Sequence, residues 1–156
     1  MDVIYNDKNG NVNHILCNDH KANKAFINEL QTNEFTLKLN SIMVFENELK
    51  EFIVEDGLFV LFDVEIRNNT NECMEIFKED FMLCFNNNEN YYPEDYFKIK
   101  NQFEDVFKIN GWECKQGFFI FIVPKQLKKL DFFYTEFYDE EHYKEYHLRY
   151  KIEKSA

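Results

Sequence analysis

Apolar and polar residues alternate along much of this chain with a period of two, the spacing of a β-strand that buries one face. The alternation is clean from Phe35 to Leu39 and can continue beyond it. Residues 58–66 and 117–123 are almost continuously apolar, which is typical of central strands. In the first of these runs, Asp63 and Glu65 are the outward positions. The pattern predicts a sheet protein with two long central strands.

Shorter strands are predicted between turns rich in asparagine, which tolerates the left-handed region and bonds its own backbone. They cover residues 73–77, 81–85, 130–137 and 146–152. The acidic stretch from Glu46 to Asp56 predicts a loop or a frayed edge. Tyr91 to Tyr96 is expected to carry the chain across to a second sheet. Periodicity does not decide whether residues 99–107 form a helical turn or a connecting strand.

The first residues predict a small extension of their own. Strands at 3–5 and 12–16 flank Asn9-Gly10, a strong hairpin signal. Asp19 is placed to cap a short helix from Lys21 to Leu30. We therefore expect one domain, with residues 1–33 as an N-terminal hairpin and short-helix extension and residues 34–156 as an all-β, immunoglobulin-like β-sandwich.

Composition supports a packed sandwich. The 156 residues include 18 Phe and 9 Tyr, and such rings fit the space between two sheets. The net charge of −11 disfavours nucleic-acid binding, which requires a basic patch. The nearest basic cluster, Lys125, Lys128 and Lys129, is expected to solvate a loop. We interpret the acidity as a solvated surface, and the alternative is attraction of a basic partner.

The chain has no run of about 20 apolar residues, so no membrane span is expected. Its first residues show no charged region followed by an apolar run, so we expect no signal peptide. The four cysteines then fit reduced thiols in the cytoplasm. If a signal segment has been trimmed, the alternative is an extracellular or cell-surface protein with paired cysteines.

Several short motifs follow one another in a characteristic order. A strand opens with Gly57-Leu58-Phe59, a turn follows at Asn68-Asn69-Thr70, and a strand with Phe81-Met82-Leu83 comes next. Glu113, Gly117 and Val123-Pro124 then close the series. This order resembles a bacterial family of immunoglobulin-like domains of unknown function. The family is common on Gram-positive lipoproteins and secreted proteins, and some members carry the automatic label "telomeric repeat-binding factor 2".

The resemblance implies an immunoglobulin-like fold over about two-thirds of the chain. It implies no activity, because the family has no known catalytic residues. The chain departs from the family in having Asn110-Gly111 for Pro-Gly and an inserted Trp112. It also lacks the usual signal peptide or lipid-anchor cysteine, since Cys17 has no apolar run before it.

His14, Cys17 and His20 are the residues closest to a metal-binding pattern. Their side chains are zinc ligands, and they lie within seven positions. A fourth ligand has no obvious source, so we favour a strand end followed by a helix cap. We predict no catalytic, metal or cofactor site, and we keep a small metal-binding protein as an alternative.

Cys73, Cys84 and Cys114 fall on or beside strands, where free cysteine behaves as a small buried hydrophobe. A thiol enzyme would need a nearby base, and His142 and His147 are the downstream candidates. Nothing in the sequence links them to a cysteine. Asn68-Asn69-Thr70 is also a formal glycosylation sequon.

Aromatic residues near the predicted turns allow two interpretations. Exposed aromatics often anchor a binding partner, whereas buried ones would cap the ends of the core, and we favour the cap. The residues concerned are Trp112, Tyr91, Tyr92 and Tyr96, and in the C-terminal hairpin Tyr134, Tyr138, Tyr143, Tyr146 and Tyr150.

The sequence therefore predicts a non-enzymatic immunoglobulin-like module that binds a protein partner, with no cofactor. One alternative is an acidic cytosolic inhibitor or immunity-type protein that covers a basic partner. The other is the metal-binding protein built on His14, Cys17 and His20.

Overall fold

The computed structural model describes the backbone of residues 2–6, 12–16, 29–49, 52–85, 89–95, 99–124 and 129–151. Side chains are described for residues 29–45, 57–84, 89–95, 99–124 and 130–148. The strands are β1 (Asp2–Asn6), β2 (Val12–Leu16), β3 (Glu29–Gln31), β4 (Phe35–Leu49), β5 (Phe52–Asn68), β6 (Met74–Phe77), β7 (Phe81–Phe85), β8 (Glu89–Tyr91), β9 (Val106–Ile109), β10 (Cys114–Pro124), β11 (Lys129–Phe137) and β12 (Tyr143–Lys151). A 3-10 helix covers Lys78–Asp80. No helix in these ranges is long and apolar enough to cross a membrane.

The larger sheet has the strand order β10-β5-β4-β1-β2. The central position predicted for residues 58–66 is confirmed in β5, whereas the one predicted for residues 117–123 is wrong, because β10 is at the end of this order. The predicted N-terminal hairpin is confirmed, because β1 and β2 pair antiparallel. β1 also pairs parallel with β4, and β3 pairs antiparallel with β4. The hairpin thus shares a sheet with the main body, while the domain boundary at residues 33 and 34 stays a prediction.

A second sheet and a small ribbon complete the architecture. The second sheet has the order β12-β11-β7-β8, and β6 pairs with β9 to form the ribbon. After β8 the chain crosses to the larger sheet, where the Glu94 N–H donates to the Ile120 carbonyl at 2.7 Å. This crossing agrees with the expectation for the segment that begins at Tyr91.

The main core lies between the two sheets and is rich in phenylalanine. Phe62 of β5 and Phe119 of β10 pack against Phe81 of β7 and Phe132 of β11 in one buried cluster. All four side chains are fully buried. The predicted all-β sandwich is confirmed by this arrangement.

The outer side of the larger sheet is also apolar. Phe59, Leu61 and Ile120 are buried there in a second cluster. Successive strand residues point to opposite faces, so a strand buried on both faces has no polar alternation. This explains the almost unbroken apolar runs of β5 and β10.

Two predicted elements are wrong. Residues 46–49 and 52–56 form neither a loop nor a frayed edge, since β4 continues to Leu49, β5 begins at Phe52 and these two residues pair. Hairpin pairing of these two strands overrides the weak strand propensity of acidic residues. The last residues of the predicted helix form strand β3 instead, because Leu30 is buried and pairs with Leu37 of β4. The rest of that helix, residues 21–28, lies outside the described residues.

Asn68, at the end of β5, joins three parts of the fold. Its fully buried side chain donates from Nδ2 to the carbonyls of Glu72 at 2.7 Å and Ile109 at 2.9 Å. Its Oδ1 accepts from the Thr70 N–H at 2.9 Å and the Thr70 hydroxyl at 2.8 Å. Because Nδ2 is buried and bonded twice, the sequon is not available for glycosylation in the folded chain.

Gly117 of β10 is required by the packing of one ring. A Cβ at this position would lie 2.6 Å from the ring of Phe103. That ring cannot move aside, because it is buried between Phe107 and Phe119, with centroid distances of 4.3 and 4.7 Å. The glycine of the closing motif is thus explained by sterics.

We predict that Asn68→Ala lowers the free energy of unfolding by about 2–4 kcal/mol, since it leaves buried groups without partners. Urea unfolding followed by circular dichroism measures the change. Asn69→Ala is the matched control, because Asn69 is exposed and its Nδ2 donates to the Thr36 hydroxyl at 2.8 Å on the surface. Equal losses for the two variants would contradict the role of Asn68.

We also predict that Gly117→Ala lowers the free energy of unfolding by about 1–3 kcal/mol through overpacking against Phe103. Cys114→Ala, at an exposed position of the same strand, should change it by less than about 0.5 kcal/mol. Chemical denaturation measures the free energy of unfolding of both variants and of the wild type, and the comparison requires that their m values agree. A Gly117→Ala variant as stable as the wild type would show that the Phe103 ring can move.

Candidate functional site

A groove of about 700 Å³ opens where the β6–β9 ribbon meets the segment that follows β8. We call it the acidic groove. It is lined by Phe77, Lys78, Glu79, Tyr92, Pro93, Asp95, Asp105 and Val106.

Strand alternation in the ribbon places two apolar side chains on the rim of the groove. Met74 and Ile76 face the core, so Phe77 faces out. Phe77 is paired in register with Val106, and paired residues of antiparallel strands point to the same side. Both side chains are about 40% exposed, Phe77 at 40% and Val106 at 41%. They form one apolar wall.

Tyr92 and Pro93 form the facing wall. They follow β8, and the next residue is anchored firmly: the Glu94 N–H donates to Ile120, and its carbonyl accepts from Gln102 Nε2 at 2.9 Å. The backbone is therefore held by the larger sheet while the Tyr92 side chain remains 57% exposed. A fixed aromatic wall is presented to solvent.

A buried lysine lies at the floor of the groove. Lys78 is only 4% exposed, and its Nζ lies 2.6 Å from Asp95 Oδ1 and 3.2 Å from Asp105 Oδ1. It also donates to the Glu94 carbonyl at 3.3 Å. A buried charge is tolerated only with such partners. The Lys78 hydrogen bond keeps the pKa of Asp95 below its usual value, against a weaker effect of burial.

A second, shallower depression of about 260 Å³ adjoins the acidic groove and shares Tyr92 and Glu79 with it. We call it the side depression. Its other lining residues are Asp80, Met82, Thr135 and Phe137. Phe137 is 63% exposed, and its ring lies 6.1 Å from that of the exposed Tyr143. The two depressions thus bring five exposed apolar side chains into one neighbourhood, namely Phe77, Tyr92, Val106, Phe137 and Tyr143.

Two carboxyl groups near the groove have raised pKa values. Burial, followed by repulsion from Glu79, raises the pKa of Asp80 to about 6. Burial, followed by repulsion from Asp95, also raises the pKa of Glu94, while Lys78 acts in the opposite direction. The groove region therefore gains negative charge as the pH rises through 6.

The aromatic residues near turns divide between the two interpretations. Tyr91 packs against the core and bonds Glu89, as the favoured cap interpretation expects. The cap interpretation is wrong for Tyr92 and for Trp112, which is 59% exposed, because their turns direct the side chains outward. Trp112 also adopts a left-handed backbone with φ 65°. Tyr96 lies outside the described residues.

The tyrosines of the C-terminal hairpin divide in the same way. Tyr134 and Tyr146 are partly buried against the core. Tyr138 and Tyr143 are 54% and 60% exposed, since they lie at the turn end of the hairpin, where no second layer covers them in the described structure. The Tyr150 side chain lies outside the described part.

The cysteine prediction is wrong at two positions. Cys73 and Cys114 are exposed, since both lie at strand ends, whereas Cys84 is half-buried. Cys73 and Cys114 are free thiols. The two histidines considered as bases face aspartates. His142 Nδ1 lies 2.8 Å from Asp139 Oδ1, and His147 Nδ1 lies 2.8 Å from Asp131 Oδ1.

Most of the residues on which the metal hypothesis rests lie outside the described part of the chain. His14 is in β2 opposite Ile4, and Cys17 and His20 are not described. Among the residues that the structure does describe, no group of three His, Cys, Asp or Glu side chains could hold a metal ion.

Sequence reasoning missed the acidic groove because its parts are far apart in the chain. Lys78-Glu79-Asp80 lies between the predicted strands 73–77 and 81–85, where no site is predicted. The alternation of buried and exposed residues in β6 nevertheless indicates one part of the site. Met74 and Ile76 are buried, so position 78 is the next position whose side chain points inward. A lysine at an inward position predicts carboxylate partners, although the sequence does not say which ones.

We predict a pH-dependent stability difference between Asp80→Asn and the wild type. The folded pKa of about 6 lies above the ordinary value of 3.8, so folding binds a proton between these pH values. The wild type therefore loses stability as the pH rises through this window. Because the carboxyl is partly solvated, Asp80→Asn should be more stable by only about 1 kcal/mol above pH 6, and equal near pH 4.

Thermal or urea unfolding between pH 4 and pH 7.5 measures this difference. Glu140→Gln, at an exposed position in the β11–β12 turn, is the control and should show no such window. A pH-independent difference for Asp80→Asn would contradict the burial of its carboxyl group.

No family profile matches the sequence, and no curated protein sequence matches it at a significant level. Solved structures do match. A Bacillus subtilis protein described as a candidate lipoprotein has a TM-score of 0.64 and 16% identity, over 82% of this chain and 39% of its own. A Listeria monocytogenes protein of unknown function has a TM-score of 0.58 and 13% identity, over 80% of this chain and 82% of its own.

A conserved hypothetical protein of Bacillus anthracis has a TM-score of 0.55 and 15% identity, over 79% of this chain and 94% of its own. The chain therefore spans less than half of the Bacillus subtilis protein and most of the other two. At these identities the likeness shows the fold: this chain is similar to β-sandwich proteins of Gram-positive bacteria whose functions are unknown.

Proposed function

We propose that this protein is a non-enzymatic, immunoglobulin-like module that binds another protein through the acidic groove. The observation that carries the proposal is the exposure of Phe77, Tyr92 and Val106 around a concave, carboxylate-lined surface. Single exposed apolar residues are ordinary, but adjoining ones around a groove are typical of interaction sites.

The energetics favour an interface with a few anchoring residues. Covering one large aromatic side chain contributes about 1.5–3 kcal/mol. Aromatic anchors in partly enclosed positions carry much of the binding energy in protein interfaces. Phe77 and Tyr92 have this character, because their backbones are held by strand pairing or by hydrogen bonds to the larger sheet.

The charge of the groove favours a basic partner. Its formal charges are three carboxylates, Glu79, Asp95 and Asp105, against one ammonium, that of Lys78. The chain as a whole has a net charge of −11, which attracts basic proteins and repels acidic ones. The same charge supports a second candidate function, an acidic inhibitor that covers a basic site on its partner.

The compartment bears on where such a partner would be met. The sequence predicts the cytoplasm, and the likeness in fold to a candidate lipoprotein supports the cell-surface alternative. Binding through the acidic groove is proposed for either compartment, because no step of the argument depends on it.

We predict that replacing both Phe77 and Tyr92 by Ala weakens partner binding by at least about tenfold, because the two aromatic walls are lost. The partner is captured from native lysate with wild-type protein and then purified. Isothermal titration with each variant measures the affinity.

The matched control replaces Trp112 and Tyr138, two exposed aromatics that do not line the acidic groove or the side depression. It should bind as the wild type does. Weakening by the control alone would place the interface elsewhere and overturn the proposal. If the bound partner loses its own enzymatic activity, the inhibitor function is favoured over a module that only tethers it.

A further inference from the structure

The acidic groove has an excess of negative charge that its own cation cannot cancel. The Lys78 ammonium has three N–H donors, and three acceptors receive them: Asp95 Oδ1, Asp105 Oδ1 and the carbonyl of Glu94. Two aspartates therefore share one saturated lysine, and Glu79 adds a further carboxylate to the lining. The groove can accept a second positive charge from outside.

The carboxylates, and not the lysine, face that outside. The Asp95 side chain is 56% exposed and that of Asp105 is 75% exposed, whereas the Lys78 side chain is 6% exposed. Each aspartate contacts Nζ through one oxygen. An incoming group thus meets negative charge first, and the buried ammonium holds both carboxylates in place.

The walls beside these carboxylates select the kind of cation. Tyr92 and Phe77 are exposed aromatic side chains that line the same groove. A guanidinium group is planar, stacks on aromatic faces and bonds a carboxylate through two parallel N–H groups. An ammonium group is more strongly hydrated and does neither as well. Aromatic walls next to carboxylates therefore fit arginine better than lysine.

From this combination we infer that the acidic groove binds an arginine side chain of an extended segment of a partner protein, a step that rests on the function proposed above. The volume of about 700 Å³ exceeds the needs of one side chain and leaves room for the adjoining backbone of the segment. An apolar neighbour of the arginine occupies the side depression, where Met82 and Phe137 lie next to Tyr92.

Three dipeptide probes test the inference on the full chain: acetyl-Phe-Arg-amide, acetyl-Phe-citrulline-amide and acetyl-Phe-Lys-amide. Citrulline has the shape of arginine without its charge. Chemical-shift titration at low ionic strength measures the affinities. We expect millimolar binding of the arginine probe, roughly tenfold weaker binding of the citrulline probe and a several-fold loss for the lysine probe.

Charge variants then locate the site. Asp105→Asn and, separately, Glu79→Gln should weaken the arginine probe by roughly three- to tenfold and leave the citrulline probe unchanged. Asp105→Asn leaves Lys78 its ion pair with Asp95, and the Oδ1 of the new amide can still accept a hydrogen bond from Nζ. Glu104→Gln is the matched control, since Glu104 is exposed and does not line the groove.

Each outcome decides the inference. Equal affinities for the arginine and citrulline probes, or an arginine affinity that neither groove variant changes, would overturn it. If the lysine probe binds as tightly as the arginine probe, the groove selects positive charge in general and not arginine, and the inference is overturned. A captured partner whose affinity depends on Phe77 and Tyr92, with no probe binding at the groove, would remove the arginine inference and leave the proposed function standing.

Discussion

The packing of Phe132 between the two sheets is the constraint on which the rest of this structure depends. Its ring lies 4.6 Å from that of Phe62 and 6.0 Å from those of Phe81 and Phe119. These rings come from β5 and β10 of the larger sheet and from β7 and β11 of the second sheet, so a slip by one residue in any of these strands would turn an aromatic side chain to the outer face. One cluster thereby fixes the distance between the sheets and the register of their central strands.

The acidic groove follows from this constraint. Phe81, which follows the 3-10 helix, is held in the core. At the start of the helix, the Lys78 backbone N–H donates to the Asp105 carbonyl at 2.8 Å, a hydrogen bond that extends the pairing of β6 with β9. With both ends of the 3-10 helix fixed, the Lys78 side chain has to point inward. Burying it requires carboxylates, and removing one partner from a buried ion pair is costly. The charge pattern of the groove is therefore part of the fold.

The sequence predicted the sandwich because period-two alternation is a local property, and β5, β10 and the N-terminal hairpin follow from it directly. The length of β4 and β5 was missed, since Glu48 and Ile53 pair within a hairpin although the acidic composition of this stretch is typical of a loop. The site was missed for a related reason. The β6–β9 ribbon and the segment after β8 bring Lys78, Asp95 and Asp105 together. No short sequence motif predicts these contacts, because the three residues are far apart in the chain. Only the inward position of Lys78 was visible in advance.

Under the proposed function, the two parts of the groove act at different stages of binding. Exposed carboxylates act at a distance, but salt reduces their effect beyond a Debye length of roughly 8–10 Å. They therefore govern how fast a basic partner arrives. The apolar walls act only on contact. Burial of Phe77 and Tyr92 against the partner slows dissociation, and this effect does not depend on the ionic strength. A surface with a net charge of −11 attracts many basic proteins. Because the aromatic walls occupy one defined groove, the proposed function assigns to them the choice of which basic proteins stay bound.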